Sequence, residues 1–132
     1  MGTREGWRTV ALGTVLTFRV PPLAQEKPVQ PVDSLFGIVE GDGYQVVYDY
    51  GRFGERVEEY RDRPGYSISA RRIGHRKAQM ATFEDREANP LLPFARLLRV
   101  EDGSNALTLR VSCSDEATCS LADLIFDSVE FR

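Results

Sequence analysis

Apolar and polar residues alternate along much of this chain, and the alternation is interrupted by glycines and prolines. In the run from Gly13 to Val20, Leu16, Phe18 and Val20 fall on one face, and Pro21-Pro22 ends it, which predicts a strand. The runs Leu35–Glu40 and Tyr44–Tyr50 flank Gly41-Asp-Gly43 and predict a hairpin. On its second strand Tyr44, Val46, Tyr48 and Tyr50 share one face, and Gln45, Val47 and Asp49 share the other. Tyr66–Ala70 and Met80–Phe83 predict a second hairpin around Gly74. Phe94–Val100 and Ala106–Cys113 predict a third around Asp102-Gly103, with Leu107, Leu109, Val111 and Cys113 on one face.

The period changes near the end of the chain. Ala117, Leu121, Leu124, Ile125 and Ser128 form a stripe at helical spacing. Ser114 is the expected N-cap, and Asp115 and Glu116 suit the positive end of the helix dipole. Val129-Glu-Phe131 returns to an extended pattern. Residues 21–34 carry Pro21, Pro22, Pro28 and Pro31, which excludes a helix interior or central strand and predicts a stiff surface connection. Residues 52–65 are polar and read as a loop or as a short helical turn at Val57 and Tyr60. The expected class is α+β: a mostly antiparallel sheet of six to seven strands built from hairpins, with a C-terminal helix packed on one face. A chain of 132 residues holds this as a single domain over 1–132.

Composition narrows the function classes. Hydrophobic residues are 42% of the chain, enough for a real core. A net charge of -3 argues against general nucleic-acid binding, which wants a concentrated basic excess. No run approaches the length of a transmembrane helix, and Met1–Gly6 lacks the apolar region of a signal peptide. The chain therefore reads as cytoplasmic, or as an exported form whose leader is absent. Cys113 and Cys119 bear on that choice. Their spacing is too wide for a redox Cys-x-x-Cys pair, and no further ligands suggest zinc. They read either as a local disulfide in an oxidising compartment or as two buried thiols in a reducing one. Lys27 and Lys77 are the only lysines, so the other basic residues are arginines.

Candidate chemistry is sparse. His75, the only histidine, sits among Arg71, Arg72, Arg76 and Lys77 with no adjacent carboxylate or nucleophile. No Gly-x-Ser-x-Gly elbow occurs, and Gly41-Asp-Gly43 lacks the repeated oxygen ligands of a calcium loop. Glu58-Glu59 and Glu84-Asp85 are adjacent pairs, which a strand points to opposite faces, so they read as solvated surface. No catalytic residue, metal or cofactor is expected. Three features remain as a ligand or partner surface. Tyr44, Tyr48 and Tyr50 line a pocket or partner face, or else fill the sheet core. Asp33 and Asp49 form a polar site beside the tyrosines, or else a turn cap and an outward strand residue. Arg71, Arg72, Arg76 and Lys77 are gathered by the turn at Gly74 into an anion site, or else form a solvated hairpin tip.

Short motifs carry a family likeness. The opening strand Thr17-Phe-Arg-Val-Pro21 with its long loop, the turn Ile73-Gly-His-Arg-Lys-Ala78 and the closing Ile125-Phe-Asp-Ser-Val-Glu-Phe131 resemble the PsbP-like superfold. Val32-Asp-Ser-Leu-Phe-Gly37 with Tyr48-Asp-Tyr-Gly51 is similar to a group of small bacterial exported proteins of that type. The resemblance implies a small periplasmic or lipoprotein-type binding or assembly module without catalytic activity, whose partner is another protein. The alternative is a small-ligand or anion-binding domain that uses the tyrosine-rich sheet face and the arginine cluster.

Overall fold

A computed structural model of the protein describes residues 5–28, 35–52 and 54–132. The chain forms β1 (Arg8–Leu12), β2 (Leu16–Val20), β3 (Gln25–Lys27), β4 (Leu35–Gly41) and β5 (Tyr44–Gly51). A short 3-10 helix at Val57–Tyr60 leads to β6 (Ser67–Ile73), β7 (Arg76–Glu84), β8 (Phe94–Asp102) and β9 (Asn105–Cys113). The helix α1 (Ser120–Asp127) and a short β10 (Glu130–Phe131) close the chain. Seven strands make one antiparallel sheet in the order β3-β4-β5-β9-β8-β7-β6, and β1-β2-β10 make a second, three-stranded sheet.

The three hairpins expected from the alternation are β4–β5, β6–β7 and β8–β9. The tight link between β6 and β7 relies on Gly74, whose φ of 63° lies in the left-handed region that L side chains rarely adopt. Strand count exceeds the expectation of six to seven, and the added strands are those with little apolar signal. All three residues of β3 are exposed, so this strand in the proline-rich connection follows from edge pairing with β4. β1 buries only Val10 and Leu12 and is specified by its pairing with β2.

The main core lies between one face of the large sheet and a layer made of the small sheet and α1. Phe18, Leu16 and Val20 of β2 and Ile125 and Phe126 of α1 are fully buried there against Val46, Leu98, Leu107, Leu109 and Val111. A smaller cluster on the opposite face joins Val57 of the 3-10 helix to Ala81, Phe83, Ala95 and Leu97, with Tyr60 and Tyr66 packed at its margin. Tyr60 and Phe83 stack with ring centroids 4.2 Å apart.

The closing helix is C-terminal, as its stripe predicts, but it begins at Ser120 rather than directly after Ser114. Asp115 is the reason. Its Oδ1 accepts the Thr118 amide at 2.7 Å, and its carbonyl accepts the Cys119 amide at 3.2 Å, so residues 114–119 close a capped turn ahead of the helix. The Thr118 amide also holds the Asp115 carboxyl below the usual aspartate range. Cys113 and Cys119 form a disulfide with Cα atoms 5.4 Å apart. It joins the last residue of β9 to the residue before α1. At the other end, Ser128 Oγ donates to the Ile125 carbonyl and accepts the Arg19 amide, locking the helix terminus to β2.

Candidate functional site

The large sheet has two unlike faces, and strand register assigns each candidate residue to one of them. Tyr44, Tyr48 and Tyr50 share a face, as the alternation predicts, but that face is the covered one. Tyr44 is 5% exposed, and Tyr48 and Tyr50 are half-buried against the main core. Tyr48 meets Phe18 edge-on with centroids 5.4 Å apart. Two glycines explain the fit. Gly37 and Gly41 of β4 stand opposite Tyr48 and Tyr44, and each ring folds over its glycine. A Cβ on Gly37 would lie 2.1 Å from Tyr48 Oη, and one on Gly41 would lie 2.2 Å from Tyr44 Cζ. Burial raises the phenol pKa of Tyr44 and of Tyr48. Of the two readings of the tyrosines, this packing agrees with a filled sheet face, against which Phe18 of the small sheet lies.

Tyr50 takes part in a polar contact at the rim. Its Oη donates to Asp102 Oδ2 at 2.6 Å, and Arg76 Nε donates to Asp102 Oδ1 at 2.9 Å. Those two hydrogen bonds hold the Asp102 carboxyl below its ordinary range. Arg76 also lies 4.0 Å from the Phe131 ring centroid.

The other face carries charge. Arg110 of β9 is at its centre, donating to Asp85 Oδ2 at 2.8 Å and to Tyr60 Oη at 3.0 Å, with Glu55 Oε1 at 3.3 Å. Tyr60 Oη donates in turn to Glu55. Asp85 is 5% exposed and also meets Arg63, so it is a buried ion-pair partner. This corrects its reading as solvated surface: the strand ends at Glu84, and the chain turns Asp85 inward over Arg110. Burial pushes the Glu55 carboxyl above its usual range. Asp49 points to this same face, and its Oδ1 is buried without a hydrogen-bond partner among the described residues. Among the described residues Asp49 pairs with no arginine, and the tyrosines face away from it. Asp33 lies outside the described residues.

Beside this network the open face deepens into a groove of about 710 Å³. Register builds its floor. Arg72 stands opposite Lys77, Ala70 opposite Gln79, and Gln79 opposite Arg99, with Glu101 next along β8 on the same side. Arg56 and Glu58 form the wall contributed by the 3-10 segment. That segment is tied down where Arg99 donates to the Glu55 carbonyl at 2.9 Å, while Arg99 Nε pairs with Glu101 at 2.8 Å. Among the described residues Lys77 has no ion-pair partner, and the Arg72 side chain donates only to the His75 carbonyl.

The basic cluster expected at the Gly74 turn is thus divided between the faces. Arg71 crosses to α1, where it meets Asp123 at 2.7 Å and Asp127 at 3.6 Å. Arg76 is engaged by Asp102. Arg72 and Lys77 remain and are joined by Arg56 and Arg99, which no local motif marks. The signal for Arg99 and Glu101 was the alternation of β8, which places them opposite in facing to Leu98 and Val100. Arg56 carries no such signal. His75 is exposed at the turn. The groove therefore presents guanidinium, ammonium and amide donors beside the carboxylates of Glu58 and Glu101. No group of three or more metal-ligating side chains occurs among the described residues, and no helix among them is long and apolar enough to cross a membrane. No family model matches the chain, and no curated protein matches it.

Proposed function

We propose that the protein is a small exported binding module, without a catalytic role, whose partner is a protein that presents carboxylates to the groove over β6, β7 and β8. The observation that carries this reading is the pairing of Arg72 with Lys77. Like charges directly opposite on neighbouring strands repel, and among the described residues neither side chain forms an ion pair, the nearby Glu101 being paired with Arg99. An anion seated between them removes that repulsion, so the site is poised for one. The Cys113–Cys119 disulfide supports an oxidising compartment. The likeness to PsbP-like proteins supports a binding or assembly role.

Calorimetric titration with tetraglutamate and with citrate tests the groove. Binding that weakens steeply with added salt, and that is lost in Arg72→Glu/Lys77→Glu, is the expected result. Equal binding by wild type and the double variant overturns it. A thiol assay on protein from its native host tests the compartment, where two free thiols contradict export.

A further inference from the structure

β6 is the last strand of the large sheet, so one row of its backbone donors and acceptors faces outward. Among the described residues no other element hydrogen-bonds to that edge. The strand is seven residues long and contains no proline. Ser67, Ser69 and Ala70 are small and exposed, and Ile68 is 42% exposed. None of the devices that usually protect a sheet edge covers this half of it. The edge also borders the groove, because Ala70 and Arg72 of β6 are part of the groove floor.

We propose that an extended acidic segment of the partner adds to β6 as a further antiparallel strand, with its alternate side chains over the groove. The proposal rests on the groove reading above and gives the partner a backbone geometry. Residues of an added strand opposite Arg72, Ala70 and Ile68 point to the groove side. Read from its N-terminus, such a segment carries an acidic residue, then any residue two positions on, then an apolar residue two further. The acidic side chain lies beside Arg72, with Lys77 one strand further on, and the apolar one covers Ile68. Charge selects this occupant over a second copy of the chain. Pairing β6 with itself would bring two unneutralised Arg72–Lys77 pairs onto one continuous face.

The test uses the peptide Thr-Glu-Thr-Ser-Thr-Val-Thr, blocked at both ends, with hydrogen exchange of the β6 amides as the readout. Strand addition slows exchange at alternate amides within residues 67–73. Replacing the peptide glutamate by glutamine, or making Arg72→Glu in the protein, weakens binding roughly tenfold. N-methylation of the peptide nitrogens that face β6 abolishes binding. Arg72→Glu regains affinity when the peptide glutamate is replaced by arginine. Unchanged β6 exchange, with citrate still bound at Arg72 and Lys77, overturns strand addition and leaves the groove reading standing. Failure of both peptide and citrate to bind overturns the two together. A peptide-independent dimer with protected β6 amides shows that the edge belongs to a second copy and overturns the proposal.

Discussion

Arg72 and Lys77 stand directly opposite each other on β6 and β7, face the same groove, and among the described residues form no ion pair. This pairing costs stability, and it underlies the proposed anion site. The two consequences separate experimentally. Lys77→Gln removes the repulsion and is expected to raise stability by a few tenths of a kcal/mol, about 1–2 °C in Tm. The same change weakens citrate binding. Thermal melts at low and high salt check the first part, since the gain shrinks as salt screens the wild-type pair.

Gly37 and Tyr48 form the tightest of the cross-strand fits. A Cβ at Gly37 would fall 2.1 Å from the Tyr48 hydroxyl oxygen, so the ring must move. Gly37→Ala is expected to destabilise the protein by about 1–3 kcal/mol through this displacement. Combining it with Tyr48→Ala should cost less than the sum of the single changes, because the clash is gone. Urea denaturation of the two single variants and the double variant measures the coupling.

Arg110 and Asp85 are a second linked pair, with side chains 18% and 6% exposed. Asp85→Ala leaves a guanidinium desolvated with part of its neutralisation gone, and about 3 kcal/mol of stability is expected to be lost. Arg110→Met/Asp85→Ala should recover part of that loss, limited by Glu55, which loses the same guanidinium. Equal loss in the single and double variants would mean that packing, not charge, dominates there.

Two carboxyls give opposite pH dependences. Asp102 has a depressed folded pKa, so it adds stability above its unfolded pKa and loses that contribution as pH falls through the folded value. Asp102→Asn is thus less stable than wild type at neutral pH, and the gap closes as pH falls below the ordinary aspartate range. Glu55 is raised by burial, so its ionisation disfavours the fold. Relative to Glu55→Gln, wild type should lose stability as pH rises from the ordinary glutamate range through the raised pKa. Urea midpoints across pH check both slopes.

The sequence made the hairpins legible because their strands are half-buried, and half-burial writes a two-residue period. It made the shared face of Tyr44, Tyr48 and Tyr50 legible too, but not whether that face was covered. The covering layer comes from β1, β2, β10 and α1 at the two ends of the chain, and local pattern carries no information on their docking. Gly37 and Gly41 held the clue, since each leaves room for a ring across the strand. The arginine cluster misled for a related reason. Arg71 and Arg72 are adjacent, so the pleat sends them to opposite faces, and only register shows Arg72 beside Lys77. Asp85 was hidden because burial of a carboxylate depends on Arg110, distant in sequence.

The central claim is that the groove over β6, β7 and β8, and not the tyrosine face, is where this protein binds. Mapping backbone and arginine side-chain NMR shifts during a tetraglutamate titration tests it most directly. Shifts concentrated at Arg56, Arg72, Lys77, Gln79 and Arg99 are the predicted result. Shifts centred on Tyr48 and Tyr50, or none at saturating ligand, would contradict it.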